Sequence, residues 1–231
     1  MPKVQKAIIL AAGRGERLLP ITQTVPKPLV TVNGVRIIDT IIDALLLAQI
    51  TDIYIVRGHL SEQFSVLLDK YSNIQFIENP YFKESNNISS VYVARDKLQN
   101  AYIIEGDLYI HNSNVINATQ SSSNYMGEKV DKTDDWCFAT QNNIITNISI
   151  GGRNCYHMYG ISYWNEVDGK RLKTHIEQVF DTPSGKNLYW DEVALGLYKN
   201  EYTIKLRECL EGAITEIDTA AELEELEKIV I

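Results

Sequence analysis

The stretch Lys6-Ala7-Ile8-Ile9-Leu10-Ala11-Ala12-Gly13-Arg14-Gly15 decides how the chain folds. An apolar run of strand length passes directly into a loop of small residues. The run has no polar side to turn towards water, so it predicts a parallel strand buried on both faces. Downstream, helix and strand signals alternate. Residues 35–49 place Ile37, Ile38, Ile41, Ile42, Leu45 and Leu46 at helical spacing, and 53–56 read as a second buried strand. Residues 61–71 read as a helix capped by Ser61, 74–77 as a third strand, 88–98 as an amphipathic helix and 101–104 as a fourth strand. This alternation predicts an α/β fold: a Rossmann-like, mostly parallel sheet flanked by helices.

After residue 120 the pattern changes. Ser121-Ser122-Ser123-Asn124 is a polar break, followed by strand-like runs at 136–140, 144–150 and 156–164. Gly151-Gly152 reads as the turn between the last two. These runs predict a small antiparallel extension or flap. Residues 166–180 and 191–199 return to helix. Glu216-Ile217-Asp218 closes a short strand, and Thr219 is placed to cap a final helix ending at Ile229. No repeat and no long linker divides the chain, so residues 1–231 are read as a single domain.

Composition excludes several classes. Hydrophobic residues make up 45% and charged residues 23% of 231, the balance of a folded globular chain. A net charge of −8 argues against a nucleic-acid binder. Cys137, Cys155 and Cys209 have no metal-ligand spacing and predict free thiols. The apolar run before Gly13 is too short for a signal-peptide core. The stretch 37–50 is interrupted by Asp39, Thr40, Asp43 and Gln49, short of the roughly 20 apolar residues that span a bilayer. A cytoplasmic protein without membrane insertion is expected.

The loop after the first strand carries the chemistry. Ala11, Ala12, Gly13 and Gly15 let the backbone approach a phosphate or a flat base and offer its N–H groups. Arg14, Arg17 and Lys27 bring positive charge close to the same place, suited to phosphate oxygens that gain charge as a leaving group departs. Pro26 and Pro28 hold the chain extended around Lys27. The third glycine of a dinucleotide fingerprint is missing, and so is the Gly-Lys-Ser/Thr of a P-loop. The stretch from Leu10 to Leu29 resembles the signature Leu-Ala-Ala-Gly-x-Gly-x-Arg-Leu-x-Pro-x-Thr…Pro-Lys-x-Leu of the nucleoside-triphosphate transferase superfamily. Pro20, Thr22, Pro26 and Lys27 stand where that pattern wants them. The resemblance implies a nucleotidyltransferase with Leu10, Ala11, Ala12, Gly13, Arg14 and Gly15 on the nucleotide and Lys27 and Arg17 as catalytic groups.

Such an enzyme needs Mg²⁺, which takes one or two carboxylates besides phosphate oxygens and water. Asp107 and Asp218 each follow an apolar strand run, at the end of a sheet where ligands collect. The resemblance assigns both to the metal, with Glu105 and Glu216 in lesser roles; many relatives carry aspartate where this chain has Glu105. Turn or cap chemistry is the alternative for either aspartate taken alone.

The second half of the chain is similar to the bacterial CTP:phosphocholine cytidylyltransferase branch. Asn86-Asn87-Ile88-Ser89-Ser90-Val91-Tyr92, Asp135-Trp136, Tyr163-Trp164 and Leu188-Tyr189-Trp190-Asp191 carry that similarity. Asn87 and Ser89 can read a pyrimidine edge, or equally cap a helix. A quaternary ammonium donates no hydrogen bonds and is held by aromatic faces and a carboxylate. Trp136, Tyr189, Trp190 and Asp191, with Tyr159 as a further candidate, are therefore expected around the acceptor. The resemblance implies conversion of CTP and phosphocholine to CDP-choline and pyrophosphate. A sugar 1-phosphate or an aminoalkyl phosphonate is the alternative acceptor, and a non-catalytic nucleotide-binding regulatory domain the alternative class. No role is assigned to His59, His111, His157 or His175.

Overall fold

The computed structural model describes residues 2–230. In chain order its strands are β1 (Lys6–Ala11), β2 (Thr31–Val32), β3 (Val35–Arg36), β4 (Asp52–Arg57), β5 (Ile74–Glu78) and β6 (Ala101–Glu105), then β7 (Leu108–Ile110), β8 (Asn124–Gln141), β9 (Ile144–Trp164), β10 (Lys205–Glu208) and β11 (Ile214–Glu216). The α-helices are α1 (Ile37–Leu47), α2 (Ile88–Val93), α3 (Glu166–Phe180), α4 (Trp190–Glu192) and α5 (Ala220–Ile229). Seven strands form the main sheet in the order β10-β8-β9-β6-β1-β4-β5. β1 lies between β6 and β4, parallel to both, and β5 adds parallel to β4. β9 pairs antiparallel with β6, and β8 with β9. Among the described residues no helix is long and apolar enough to cross a membrane.

The apolar run of β1 is buried because the sheet is covered on both sides. Ala7, Ile9 and Ala11 face α1, meeting Ile38, Ile41 and Leu45. Ile8, Leu10 and Ala12 face the other layer, with Ile88 and Val91 of α2 and Leu172, Ile176 and Phe180 of α3. Period-2 alternation thus feeds two cores from one strand.

Several expected elements differ in detail. Helix α1 begins at Ile37, because Asn33-Gly34 with φ of 48° and 87° turns β2 back onto β3. Both residues in the left-handed region are what a tight two-residue hairpin requires. The segment Ser61–Asp69 is 3₁₀ rather than α, and Leu60, not Ser61, precedes it without a side-chain cap. Its buried side chains, Phe64 and Leu67, are three apart, the repeat of that tighter helix. Helix α2 stops at Val93 and continues as a 3₁₀ turn, Arg95–Lys97. Helix α4 is brief and runs into a π turn at Val193–Leu197.

The flap is one long hairpin that folds back on itself. Its turn is Asn142-Asn143, both at positive φ, and Gly151-Gly152 is a bend inside β9. Gly151 has φ of 75°, and register shifts opposite it between Thr133 and Trp136. Phe138 pairs with both Ile148 and Tyr156, so the segment around it lies between the two halves of β9. Cys137, Cys155 and Cys209 are free and buried, in line with the expected thiols.

β11 does not join the main sheet. It pairs with β7, and the Ile217 amide donates to the Asp107 carbonyl at 3.1 Å. Thr219 then caps α5: its hydroxyl accepts from the Glu222 amide, and the Glu222 carboxylate accepts from the amides of Thr219 and Asp218.

Close packing between α3 and the turn before β6 yields a test. A Cβ added at Gly169 would stand 2.4 Å from the Leu98 carbonyl oxygen, whereas one at Gly196 would meet nothing nearer than 4.0 Å. Gly169→Ala is expected to cost about 1–3 kcal/mol in urea unfolding, and Gly196→Ala to leave the midpoint near wild type. Equal midpoints would show that α3 moves freely away from that turn.

Candidate active site

Everything points to the carboxyl-terminal ends of β1 and β6, where a cavity of about 540 Å³ opens. Its wall on one side is the loop after β1. Gly15 has φ of 60°, and a Cβ there would come within 2.9 Å of Thr22 Cγ2 and 3.1 Å of Lys27 Cβ. Only glycine fits that turn. The Thr22 hydroxyl donates to the Gly15 carbonyl at 2.8 Å, fixing the loop. Gly106 plays the matching part after β6, since a Cβ would lie 2.8 Å from the Leu10 carbonyl. Leu10, Ala11, Ala12, Gly13, Arg14 and Gly15 all line the cavity.

His59, to which sequence reasoning gave no role, ties this loop to β4. Its amide donates to the Ala12 carbonyl at 3.1 Å, and its Nε2 lies 2.8 Å from the Thr22 carbonyl. A histidine after a strand carries no local signal for such a tie.

Lys27 reaches into the cavity floor. Its ammonium donates to Asp107 Oδ2 and to Asp218 Oδ1, each at 2.7 Å. Arg17 reaches the same Asp218 oxygen at 2.8 Å from a largely exposed position. Arg14 instead pairs with Glu16 at the rim. Burial alone would lower the Lys27 pKa, but the charges of Asp107 and Asp218 outweigh it and raise it above the ordinary lysine value. Lys27 therefore stays charged at neutral pH.

The two aspartates, expected at the ends of strands of one sheet, meet differently. Asp107 sits in the turn between β6 and β7, and Asp218 just past β11, so the small β7–β11 pair joins them. Glu216 completes a cluster with Asp107 and Asp218, one carboxylate oxygen of each lying within 4.8 Å of the others. Glu216 was expected only as a nearby helper. Burial, then the charges of Asp107, Asp218 and Asp135, push its pKa well above the ordinary range. Asp107 Oδ1 is buried and has no hydrogen-bond partner. A buried lone pair of this kind, beside two further carboxylates, fits a divalent cation that binds oxygen.

Beside this cluster, Glu105 closes a ring of hydrogen bonds. Its Oε1 accepts from Asn87 Nδ2 at 3.1 Å and from Trp190 Nε1 at 3.3 Å, while the Trp190 amide donates to Asn87 Oδ1 at 2.9 Å. Burial first, then the charges of Asp107 and Asp191, push Glu105 up to about 8. A cation entering the cavity favours its ionised form.

The residues expected at the nucleotide and acceptor separate into two groups. Asn87, Ser89 and Tyr189 line the cavity. The Ser89 hydroxyl donates to the Asn86 carbonyl and accepts from Asn79, so its bonds are made within the protein. Trp136 packs edge-on against Tyr189 at 5.8 Å. Trp190 is enclosed: it stacks on Tyr125 at 6.0 Å and meets Trp164 edge-on at 5.9 Å. Asp191 is buried beside it, accepts from the Tyr125 hydroxyl at 3.2 Å, and burial raises its pKa to about 6. Tyr159 spends its hydroxyl on Glu128.

Comparison with known proteins agrees with this geometry. The profile of the nucleotidyl transferase family matches residues 6–143. The chain is 38% identical to 2-aminoethylphosphonate cytidylyltransferase of Lancefieldella rimae, over 94% of this chain and 89% of that protein. It is 31% identical to choline-phosphate cytidylyltransferase of Streptococcus pneumoniae, over 97% of both. The solved structure of CTP:phosphocholine cytidylyltransferase from Streptococcus pneumoniae superposes with a TM-score of 0.92 at 30% identity, over the whole of both chains. A loop of small residues, a lysine and three carboxylates gathered at one cavity, together with these full-length similarities, make the chain a nucleotidyltransferase: it belongs to the nucleotidyl transferase family, among cytidylyltransferases.

Proposed function

We propose that the protein transfers the cytidylyl group of CTP to a small acceptor that carries a phosphate or phosphonate and a cationic head group, releasing pyrophosphate. The observation that carries this reading is the cluster of Asp107, Asp218 and Glu216 beside the Gly13–Gly15 loop. These three carboxylates would hold Mg²⁺, a hard cation suited to an all-oxygen donor set. When bound, the ion neutralises the triphosphate and orients the phosphorus under attack. The acceptor named by sequence, phosphocholine, and its alternative, an aminoalkyl phosphonate, correspond to the acceptors in the names of the two relatives. The reading includes a cytoplasmic location, where CTP is at hand.

The chain's own residues divide the remaining work. Backbone N–H groups of the loop receive phosphate oxygens, as the small side chains at Ala12, Gly13 and Gly15 permit. Lys27 and Arg17 stabilise charge on the phosphates in the transition state, when those oxygens offer themselves as partners in place of the aspartates. Asn87 and Ser89, with their side-chain bonds already made, form a rigid wall against which the pyrimidine lies. A phosphate or phosphonate oxygen is ionised at neutral pH, so no general base is required and catalysis rests on positioning and electrostatics. A regulatory domain without activity would have no use for Arg17, Lys27, Asp107 and Asp218 together.

Pyrophosphate release from CTP, measured with an acceptor present, should stop on adding EDTA and return with excess Mg²⁺. Unaltered release in EDTA would remove the metal from the reaction. Asp107→Ala should lower turnover at least about a hundredfold, a loss of about 2.7 kcal/mol of transition-state stabilisation. A folded Asp107→Ala protein with near-normal Mg²⁺-dependent turnover would exclude Asp107. Lys27→Ala should mainly reduce kcat, and Lys27→Arg should recover little, since a planar fork does not replace a point charge shared by two carboxylates. Full activity in either variant would limit Lys27 to lining the entrance.

A further inference from the structure

We propose that Glu105 divides its carboxylate between the fold and the substrate: Oε1 is held by the protein, and Oε2 receives the primary ammonium of the acceptor. The enzyme would thereby select an aminoalkyl phosphonate or phosphate over its trimethylammonium counterpart. This inference rests on the cytidylyl-transfer reading above and names the acceptor class within it.

Three observations carry it. First, the Glu105 side chain is held in one place. Its Oε1 takes two hydrogen bonds in the ring with Asn87 and Trp190. Its stem lies against Gly160 of β9, where an added Cβ would fall 2.2 Å from Glu105 Cγ. Any other residue at 160 would displace it. Second, Oε2 accepts no hydrogen bond from the described residues and is not among the fully buried unpartnered atoms. As Glu105 lines the cavity, that oxygen opens into it. Third, among the described residues the aromatic side chains that line the cavity are Phe82 and Tyr189, and neither tryptophan expected around a trimethylammonium group joins them. Trp190 has Tyr125 stacked on it and Trp164 at its edge, and Trp136 packs edge-on against Tyr189.

These facts separate two head groups chemically. A primary ammonium carries three N–H donors and forms a short, charge-assisted hydrogen bond with a carboxylate oxygen. A trimethylammonium group has no donor, and its methyl groups hold the charge further from Oε2; it depends on ring faces instead. A carboxylate oxygen that opens into the cavity without a partner rewards the first and gains little from the second. Glu105 stands two residues before Asp107, so the same short molecule can present its ammonium to one and its phosphorus oxygens to the metal side. Glu105 is thus specificity-determining.

The test compares 2-aminoethylphosphonate with phosphocholine as acceptors for CTP. Wild type should prefer 2-aminoethylphosphonate, and kcat/KM should fall stepwise when its nitrogen is methylated once, twice and three times. Glu105→Gln keeps an oxygen for Asn87 and Trp190 but loses the charge. It should lower kcat/KM for 2-aminoethylphosphonate about ten- to a hundredfold more than for phosphocholine, mostly through KM. Glu105→Met breaks the ring and should impair both acceptors. An unchanged preference in Glu105→Gln, or a methylation series without a trend, would overturn the role of Glu105 while leaving cytidylyl transfer standing. Wild type that prefers phosphocholine, or accepts only a sugar 1-phosphate, would overturn it as well. Wild type that neither turns over nor binds any of these acceptors by calorimetry would overturn both readings.

Discussion

The structure turns on one buried ionic contact, the Lys27 ammonium set between Asp107 and Asp218 at 2.7 Å from each. Three carboxylates crowded in a largely buried site repel one another, and burial of each is costly unless a cation is present. Lys27 supplies that cation within the protein. Its position is determined by Pro26 and Pro28 on either side and by Gly15, whose missing Cβ leaves room for the lysine stem. The same contact connects distant parts of the chain: the loop after β1, the turn after β6 and the segment after β11.

The two packed cores keep this centre rigid. β1 and β6 deliver Gly13 and Asp107 from adjacent parallel strands whose register is fixed from Lys6 opposite Ala101 onward. Side chains from both faces of β1 are locked, so its C-terminal loop starts from a fixed point, and ligands gather at such strand ends. The folded-back flap of β8 and β9 then brings His157 beside the cluster, its Nε2 3.9 Å from Glu216. The carboxylate cluster thus lies between the carboxyl-terminal ends of β1 and β6 and the antiparallel extension. One sheet serves both.

Much of this was legible in sequence, for physical reasons. The buried parallel strand and the loop of small residues declare themselves locally, since backbone approach to phosphate demands small side chains in succession. The Thr219 cap was readable because its partners are neighbours in the chain. Asp107 and Asp218 were readable as residues ending strands, but their meeting through β7 and β11 depends on a pairing between segments far apart. Asn33-Gly34 carried a hairpin signal that the helical spacing of the following residues overshadowed. Trp190 shows the limit most clearly: a tryptophan beside an aspartate reads as a ligand cage, while the structure covers it with Tyr125 and Trp164. Which face of a ring is covered is a property of packing and has no local code. The same holds for Glu105 and Gly160, which touch although 55 positions separate them.

The central claim is that Asp107, Asp218 and Glu216 form a single divalent-cation site. Titrating the protein with Mn²⁺ and counting bound ion by electron paramagnetic resonance tests it without any assumption about the acceptor. The account predicts one tightly bound Mn²⁺ per chain in the presence of CTP. Affinity should fall by at least about tenfold in Asp218→Asn and in Glu216→Gln, as loss of a ligand costs no less than loss of an outer partner. Undiminished Mn²⁺ binding by an Asp107→Asn/Asp218→Asn double variant would contradict it.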